Sequence, residues 1–349
     1  MKKICMIVQD PMVKGGIAAV VNGYYGSFLE KKYDVKYIQS YCDGTKLQKF
    51  IKAVKAYFLF VWNLVTNKPD ILHMHTSFGA SFYRKIPFIY MASICRIPII
   101  NHIHGPEFEL FYEQASDKKK QLIKKIYNKC TYLITLSQEW KRNFLQVVPE
   151  EKIKVIENYS VVENELLDAE RKKSQILFLG AINERKGCYD MPQIIQKVVK
   201  KVPNAIFVIA GDGELEHLKR LISEAGLTQN CVFPGWIRDD VKDAYLRQSS
   251  IFFLPSYNEG MPMAILDAMG YGLPVVSTNV GGIPQIVLDG QNGFVLRPGD
   301  IDDIAQALVK LLTDPSLRAG MGRKSVDIIR ESYTLDKHFE KLFKLYESA

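Results

Sequence analysis

The residues best suited to chemistry lie in the segment from Ile251 to Gln285. Ile251 to Leu254 is a short apolar run, which is typical of a buried parallel strand. Ligands of such sheets bind just beyond the carboxyl ends of the strands, and this chain has polar or small residues there, namely Ser256, Glu259 and Gly260. Met263 to Met269 is apolar except for Asp267, so we expect a buried helix whose first N–H groups can bind an anion.

The spacing of the two acids excludes one kind of site. Glu259 and Asp267 lie eight positions apart, which along a helix is about 12 Å. The paired carboxylates of a glycosidase are roughly 5 to 9.5 Å apart, so we expect these acids to hold two ends of one ligand. Alternatively, Glu259 caps the helix and Asp267 makes a buried hydrogen bond, and the spacing favours neither interpretation.

The whole segment resembles the signature of the retaining glycosyltransferases of family 4, whose fold is called GT-B. The matching stretches are Ser256 to Pro262, Leu266 to Met269, Gly272 to Val276, and Gly281-Gly282. The resemblance implies that Glu259 binds hydroxyls of the donor sugar, that Asp267 holds the ribose hydroxyls, and that further donor contacts come from Gly260, Met261 and Met263.

Two residues depart from the family pattern in this segment. The family usually has Glu at the place of Asp267, and Glu commonly follows the paired glycines where this chain has Gln285. The shorter Asp267 implies a ribose contact that is direct from a shifted helix, bridged by water, or weaker.

The resemblance also predicts the fold and its division into domains. It implies an α/β protein with two Rossmann-like, doubly wound parallel-sheet domains that face a cleft. We expect residues 1–165 to bind the acceptor and residues 166–332 to bind the nucleotide sugar, with a helix at about 333–349 crossing back to the first domain. The alternation of strands and helices restarts after a charged stretch, which makes residues 160–174 the predicted linker.

A pair of cations is expected beside the donor diphosphate. Arg185 and Lys186 follow the strand predicted at Gln175 to Leu179; Arg provides a planar fork of donors and Lys a compact charge. By the resemblance they stabilise the departing nucleoside diphosphate in place of a metal ion, so no metal cofactor is required. Many family members have Arg where this chain has Ala181. Arg185 either supplies that charge or pairs with Glu184 at the rim.

Turns rich in glycine mark the remaining donor positions. The resemblance implies donor contacts at Gly15, Gly16, Gly211, Gly213, Gly235, Trp236 and Ile237. Gly15 and Gly16 would leave room for the diphosphate and the acceptor, whereas Trp236 and Ile237 would contact the base through the backbone. Because backbone contacts do not reveal the base, uridine and guanosine both stay open. For Gly211 and Gly213 the alternative is a simple tight turn.

Histidines end two predicted strands of the first domain. Ile97 to Ile103 predicts a strand before His104, and the resemblance implies that His104 orients the donor or polarises a substrate hydroxyl. We expect His102 to face the opposite side of the strand and to be structural. His73 and His75 share a strand face and could chelate a metal, but no carboxylate or cysteine lies nearby. We therefore expect no metal site, and we place His75 in the acceptor site.

Charge and cysteine usage indicate the compartment and the partners. The six cysteines are scattered, which is typical of reduced thiols in a cytosolic protein. No segment has the roughly 20 apolar residues of a membrane-spanning helix. Residues 1–165 contain 24 Lys and Arg against 15 Asp and Glu, a net charge of +9. Lys46, Lys49, Lys52 and Lys55 alternate with apolar residues, which predicts either a helix on an anionic membrane surface or an ordinary solvated face. We expect no nucleic-acid partner, because no binding motif accompanies these lysines.

The sequence thus predicts a retaining glycosyltransferase that moves a hexose or N-acetylhexosamine from a nucleotide sugar, preferably UDP-linked, to a saccharide acceptor. We expect a polyprenyl-diphosphate-linked acceptor, surface polysaccharide biosynthesis, and a cytoplasmic protein peripheral to the plasma membrane. One alternative is a nucleotide-sugar epimerase of the same fold, which would turn over without an acceptor. Another is a non-catalytic nucleotide-sugar-binding protein, which the departures at Ala181, Asp267 and Gln285 favour.

Overall fold

The chain forms two compact units, each built on a parallel sheet. The computed structural model describes residues 1–163 and 171–349. Unit 1 comprises Met1–Asn158 with Leu335–Ala349, and unit 2 comprises Tyr159–Thr334. The boundary predicted at residues 165 and 166 lies outside the described residues, as do residues 164–170 of the predicted linker.

Unit 1 contains a six-stranded parallel sheet in the order β2-β1-β3-β4-β5-β6. The strands are β1 (Lys3–Val8), β2 (Asp34–Gln39), β3 (Ile71–Thr76), β4 (Ile99–Ile103), β5 (Tyr132–Thr135) and β6 (Ile153–Val155). The helices between them are α1 (Gly16–Asn22), α2 (Phe28–Lys32), α3 (Lys46–Thr66), α4 (Ala80–Ile94), α5 (Asp117–Tyr127) and α6 (Gln138–Phe144). Strands β3 and β4 are buried along their whole length, so their polar side chains must find partners inside the unit.

Unit 2 repeats this architecture with strand order β12-β11-β10-β7-β8-β9. Its strands are β7 (Gln175–Leu179), β8 (Ile206–Ala210), β9 (Cys231–Gly235), β10 (Ile251–Leu254), β11 (Val275–Thr278) and β12 (Gly293–Leu296). Its helices are α7 (Met191–Lys201), α8 (Leu215–Glu224), α9 (Asp239–Gln248), α10 (Met263–Gly270), α11 (Ile283–Ile286), α12 (Ile301–Thr313) and α13 (Pro315–Ser332). Both sheets are parallel throughout, which confirms the predicted pair of Rossmann-like sheets.

The last helix, α14 (Leu335–Ser348), belongs to unit 1, as predicted for a helix that returns to the first domain. It buries Phe339, Leu342, Phe343 and Tyr346 along one face. The ring of Tyr346 packs edge-on against Tyr33, with the two ring centroids 5.3 Å apart. Burial of this stripe joins the end of the chain to unit 1.

None of the helices in the described part of the chain has both the length and the apolarity needed to cross a bilayer.

Candidate active site

The loop between β10 and α10 is held against the turn that follows β11. A Cβ atom at Gly281 would lie 1.9 Å from the carbonyl oxygen of Glu259, and the φ of Gly281 is +56°. Only glycine tolerates both this approach and this backbone conformation. The amide of Gly282 donates to the carbonyl oxygen of Gly260 at 2.6 Å. The paired glycines therefore fix the backbone that presents Glu259.

The carboxylate of Glu259 is surrounded by donors. Its side chain is buried, and Oε1 accepts hydrogen bonds from Ser256 Oγ at 2.6 Å and from the Nζ of Lys186. Nη1 of Arg185 lies 3.8 Å from Oε2. Two cations thus share one carboxylate, so the group keeps a net positive charge that can attract an anionic ligand.

Arg185 and Lys186 reach this position because their loop packs on the β10–α10 loop. Gly187 has a φ of +69°, and a Cβ atom there would lie 2.1 Å from the carbonyl oxygen of Pro255. Nη1 of Arg185 also donates to the carbonyl oxygen of Asn258 at 2.9 Å. Arg185 therefore forms its ion pair with Glu259. Among the described residues it does not form the alternative pair with Glu184.

Asp267 lies on α10, eight residues beyond Glu259, and both of its carboxylate oxygens accept hydrogen bonds. Oδ1 accepts from Ser160 Oγ and Oδ2 accepts from Lys242 Nζ, each at 2.8 Å. Burial lowers the pKa of Lys242, but Asp267, together with the nearby Asp243 and Asp239, outweighs burial and raises the pKa of this lysine. A donor ribose at Asp267 would have to share the carboxylate with these two partners.

The sequence alone does not identify Ser160 and Lys242 as partners of Asp267. Ser160 precedes unit 2's sheet by many residues, and Lys242 sits on α9 among the acids Asp239, Asp240 and Asp243, where a lysine is unremarkable. No motif marks either residue, so only the folded chain reveals that they meet Asp267.

The glycines predicted to bind the donor have packing roles in unit 2. A Cβ atom at Gly211 would lie 1.8 Å from the carbonyl oxygen of Gly180, and one at Gly213 would lie 2.6 Å from that of Ile182. These two glycines therefore allow the turns after β7 and β8 to touch. The close backbone contacts alone explain why glycine is required at both positions. The donor contacts of Gly211 and Gly213 stay a prediction.

The other predicted donor residues of unit 2 differ in accessibility. Trp236 is exposed, and the guanidinium of Arg238 lies 5.5 Å from the centroid of its ring. Gly235 has a φ of +76° with open space where a Cβ atom would be. Met261 is buried, whereas Met263 and Ile237 are half-buried. Any contact of Met261 with a donor would therefore come from its backbone.

In unit 1, Gly15 and Gly16 begin helix α1 after the loop that follows β1. Gly15 has a φ of +136°, and nothing lies within 4 Å of the place of a Cβ atom. The constraint on residue 15 is thus conformational rather than steric. Since β1, β3 and β4 are parallel neighbours, this loop and His104 lie at the same edge of the unit 1 sheet.

His104 is half-buried at the end of β4 and is held by two hydrogen bonds. Its amide donates to the carbonyl oxygen of Thr76 at 2.9 Å, and its Nε2 lies 2.9 Å from Nδ1 of His75. Burial, assisted by the nearby His338, lowers the pKa of His104 to about 3. A neutral imidazole can orient a substrate or polarise a hydroxyl, in agreement with the predicted role, which the structure does not test.

Two predictions about the neighbouring histidines are wrong. His75 is 1% exposed, so its side chain has no surface to offer an acceptor and instead supports His104. His102 does not face away from His104, because residues two apart in a strand share a face. The rings of His102 and His104 stack with their centroids 4.2 Å apart.

Comparisons with known proteins agree with this architecture. A model described as "Glycosyltransferase Family 4" matches residues 24–159, and one described as "Glycosyl transferases group 1" matches residues 164–326. An uncharacterised glycosyltransferase of Methanocaldococcus jannaschii is 27% identical over 311 residues, which cover 82% of this chain and 77% of the relative.

Two further proteins are similar over nearly the whole chain. The Escherichia coli UDP-Gal:alpha-D-GlcNAc-diphosphoundecaprenol alpha-1,3-galactosyltransferase is 26% identical over 352 residues, covering 93% of this chain and 86% of the relative. The fold of Anabaena HepE, solved in complex with UDP and glucose, gives a TM-score of 0.77 at 17% identity and covers 100% of both chains. The chain belongs to the family 4 glycosyltransferases of the GT-B type.

Proposed function

We propose that this glycosyltransferase moves a hexose or N-acetylhexosamine from a UDP-linked donor to a saccharide carried on a polyprenyl diphosphate, in the biosynthesis of a surface polysaccharide. The observation that carries the proposal is the placement of Glu259, in the loop before α10, between Lys186, Arg185 and Ser256. This arrangement combines an acceptor for sugar hydroxyls with two cations for a diphosphate.

The charge balance of this group suits a nucleotide sugar. One buried carboxylate leaves one of the two positive charges uncompensated, and the first N–H groups of α10 add the positive end of a helix, since no side chain caps it. A departing nucleoside diphosphate would therefore be stabilised by Arg185 and Lys186, without a metal ion at the phosphates.

The proposed course of transfer assigns a separate task to unit 1. His104 is neutral, so it would orient the donor or polarise the acceptor hydroxyl rather than act as a charged acid. We infer front-face attack, in which the departing phosphate takes the proton of the acceptor hydroxyl and the anomeric configuration is retained. A product whose anomeric configuration differs from that of the donor would contradict this course.

Two relatives support the choice of donor and acceptor. The galactosyltransferase of Escherichia coli is named for a UDP-linked donor and an acceptor on diphosphoundecaprenol. Anabaena HepE has been solved with UDP and with UDP-glucose. By analogy we assign a UDP-linked hexose as donor and a lipid-linked saccharide as acceptor.

Helix α3 has an exposed surface that could bind the membrane in which a lipid-linked acceptor is held. It contains no acidic residue, and only Ala53, Ala56, Phe60 and Asn63 are buried. Its exposed apolar side chains are Leu47, Phe50, Ile51, Phe58, Leu59, Val61, Trp62 and Val65. Exposed apolar surface of this extent beside lysines is typical of an interfacial helix, so we propose that α3 binds the anionic cytoplasmic face of the plasma membrane.

The lysines of α3 are not equivalent. Lys52 donates to Asp10 Oδ2 at 2.9 Å and to Gln39 Oε1 at 2.7 Å, so it serves unit 1 rather than a membrane. Lys46 and Lys55 are exposed. Fewer lysines of α3 are therefore available to a membrane than the sequence suggests, and the exposed apolar residues cover more of the helix than the lysines do.

The experiment is the release of nucleoside diphosphate from a panel of UDP- and GDP-sugars, with and without a lipid extract that contains polyprenyl-linked saccharides. We expect release that requires one UDP-sugar and the lipid fraction, and that disappears in Lys186→Ala. The exposed Lys200 on α7 provides the matched control, and Lys200→Ala should behave as wild type. Acceptor-independent isomerisation of the donor, or binding without turnover, would overturn the proposal.

A further inference from the structure

Five of the six histidines of the chain lie together inside unit 1. His73 and His75 stand on β3, His102 stands opposite His75 on β4, and His104 and His338 flank them. The rings of His73 and His75 are 4.7 Å apart between centroids, and those of His75 and His102 are 5.0 Å apart. We call the three central residues, His73, His75 and His102, the histidine triad.

The triad contains four buried ring nitrogens without hydrogen-bond partners among the described residues. They are Nε2 of His73, Nε2 of His75, and both Nδ1 and Nε2 of His102. Each of the three side chains is at most 1% exposed. A buried polar atom without a partner destabilises a fold, because it loses its hydrogen bonds to water without replacement. Four such atoms in one place therefore require an explanation.

The other ring nitrogens of His73 and His75 are held in place. Nδ1 of His73 lies 2.6 Å from the hydroxyl oxygen of Tyr346, and Nδ1 of His75 lies 2.9 Å from Nε2 of His104. Histidines that bind metals characteristically use one nitrogen for the metal and the other for such an outer hydrogen bond. In the tautomer with the proton on Nδ1, each Nε2 presents a free lone pair.

Ring nitrogens of the three triad residues are close enough to share one ion. One ligand atom from each triad residue can be chosen so that all three lie within 4.8 Å of one another. A point therefore exists within about 2.8 Å of all three, whereas a zinc–nitrogen bond is about 2.0–2.1 Å long. Each ring would need to move inward by about 0.7 Å or less.

The protonation state of the triad suits a metal ligand. All three side chains are buried, and burial favours the uncharged form of a histidine. Neutral imidazole is the form that coordinates Zn²⁺ and its neighbours in the transition series.

We propose that His73, His75 and His102 bind one transition-metal ion of the Zn²⁺ class inside unit 1. Three imidazoles leave one tetrahedral position for water or hydroxide. Because the ion would hold His75, and His75 contacts His104, the metal would fix the orientation of His104. Through His73 it would also anchor Tyr346 and hence α14. This ion is separate from the donor diphosphate, whose proposed cations belong to unit 2.

The variant that tests the proposal is His102→Phe. Phenylalanine keeps a flat ring for stacking on His104 and removes two nitrogens that have no hydrogen-bond partner in the described part of the chain. If the triad only packs, removal of unsatisfied polar atoms should leave the protein equally or more stable. If the triad binds metal, the same change should remove the ion. The half-buried His217 on α8, which lies in unit 2, supplies the control, His217→Phe.

The measurement is the metal content of the full chain expressed with ZnCl2 or CoCl2, together with the melting temperature before and after treatment with EDTA. We expect one equivalent of metal, visible absorption bands of tetrahedral Co²⁺, and a melting temperature that falls with EDTA in wild type and in His217→Phe. His102→Phe should lack the metal, the bands and the effect of EDTA while its UDP affinity is retained. Wild type without metal, or His102→Phe with the same metal content as wild type, would overturn the proposal.

Discussion

Nζ of Lys186 donates to Oε1 of Glu259, and the same oxygen accepts from Ser256 Oγ at 2.6 Å. The carboxylate is thereby aimed by two donors from different loops before any ligand is bound. A group that stabilises a charge developing in the transition state works best when it is already oriented. The side chain then does not have to reorient during the reaction.

The first prediction concerns Glu259→Ala. We expect the rate of transfer to fall at least about 100-fold, the effect of losing one preorganised electrostatic contact. The affinity for UDP should be nearly unchanged, because the substitution leaves Lys186 and Arg185 free for the phosphates. Transfer rates and calorimetric titration with UDP measure the two effects. The exposed Glu184 gives the control variant Glu184→Ala, and loss of UDP binding in Glu259→Ala would show that Glu259 has another role.

The second prediction concerns Asp267→Asn. Asp267 accepts from Ser160 and Lys242, and we expect its remaining acceptor capacity to bind ribose hydroxyls. The variant should bind UDP about tenfold more weakly, a loss of about 1.4 kcal/mol. It should also lose most of the wild-type preference for UDP over 2′-deoxy-UDP. That preference separates ribose recognition from a general loss of structure.

The exposed Asp240 on α9 provides the control Asp240→Asn, which should bind both nucleotides as wild type does. An unchanged preference in Asp267→Asn would mean that Asp267 serves only to join Ser160 and Lys242.

Much of the fold could be predicted because its signals are local. Strands β7 and β10 have the bounds that their apolar runs indicate, Gln175–Leu179 and Ile251–Leu254. The helix predicted at about 333–349 is observed at Leu335–Ser348. A buried strand or an amphipathic helix is defined by residues within one short window, and this is why pattern alone finds it.

The contacts of the candidate site could not be predicted, because they join distant parts of the chain. Ser160, Lys242 and Asp267 come from a connecting segment and two helices, and no spacing rule links them. The burial of His75 could not be predicted from the sequence either. Strand β3 is buried along its whole length, so a polar residue near the end of the strand is buried as well.

The third prediction concerns thiol reactivity. Burial raises the pKa values of Cys5, Cys130, Cys188 and Cys231 to about 12. Only about one part in 10⁴ of each would be thiolate at pH 8. We expect iodoacetamide to modify the native protein at Cys42 and Cys95 alone, which intact mass spectrometry can count. Denatured protein should take up six labels, and rapid native labelling of Cys5 or Cys130 would contradict the burial of unit 1's sheet.

The fourth prediction concerns His104→Ala. Loss of a group that polarises or orients a reacting hydroxyl should lower kcat by about 100-fold or more. Since the nucleotide is expected in unit 2, the dissociation constant for UDP should not change. Steady-state kinetics with a fixed donor, set beside UDP titration, separates the two quantities. His217→Ala, which changes a half-buried histidine of α8, should leave both quantities unaltered. An unchanged kcat in His104→Ala would show that His104 takes no part in the reaction.

The last prediction concerns membrane binding by α3. Phe58 and Trp62 are 73% and 64% exposed, so Phe58→Ser with Trp62→Ser should abolish most of the binding to vesicles that contain anionic lipid. Lys55→Met should weaken binding about fivefold, since one lysine near an anionic surface contributes about 1 kcal/mol. Lys52→Met removes the same charge from the same helix, but Lys52 pairs with Asp10, so it should have little effect.

Co-sedimentation at low and high salt makes the comparison, and high salt should weaken binding without ending it, because the apolar contribution is not screened. Equal effects of Lys52→Met and Lys55→Met would indicate a general response to net charge. Binding that survives loss of both aromatic side chains would place the membrane contact elsewhere than on α3.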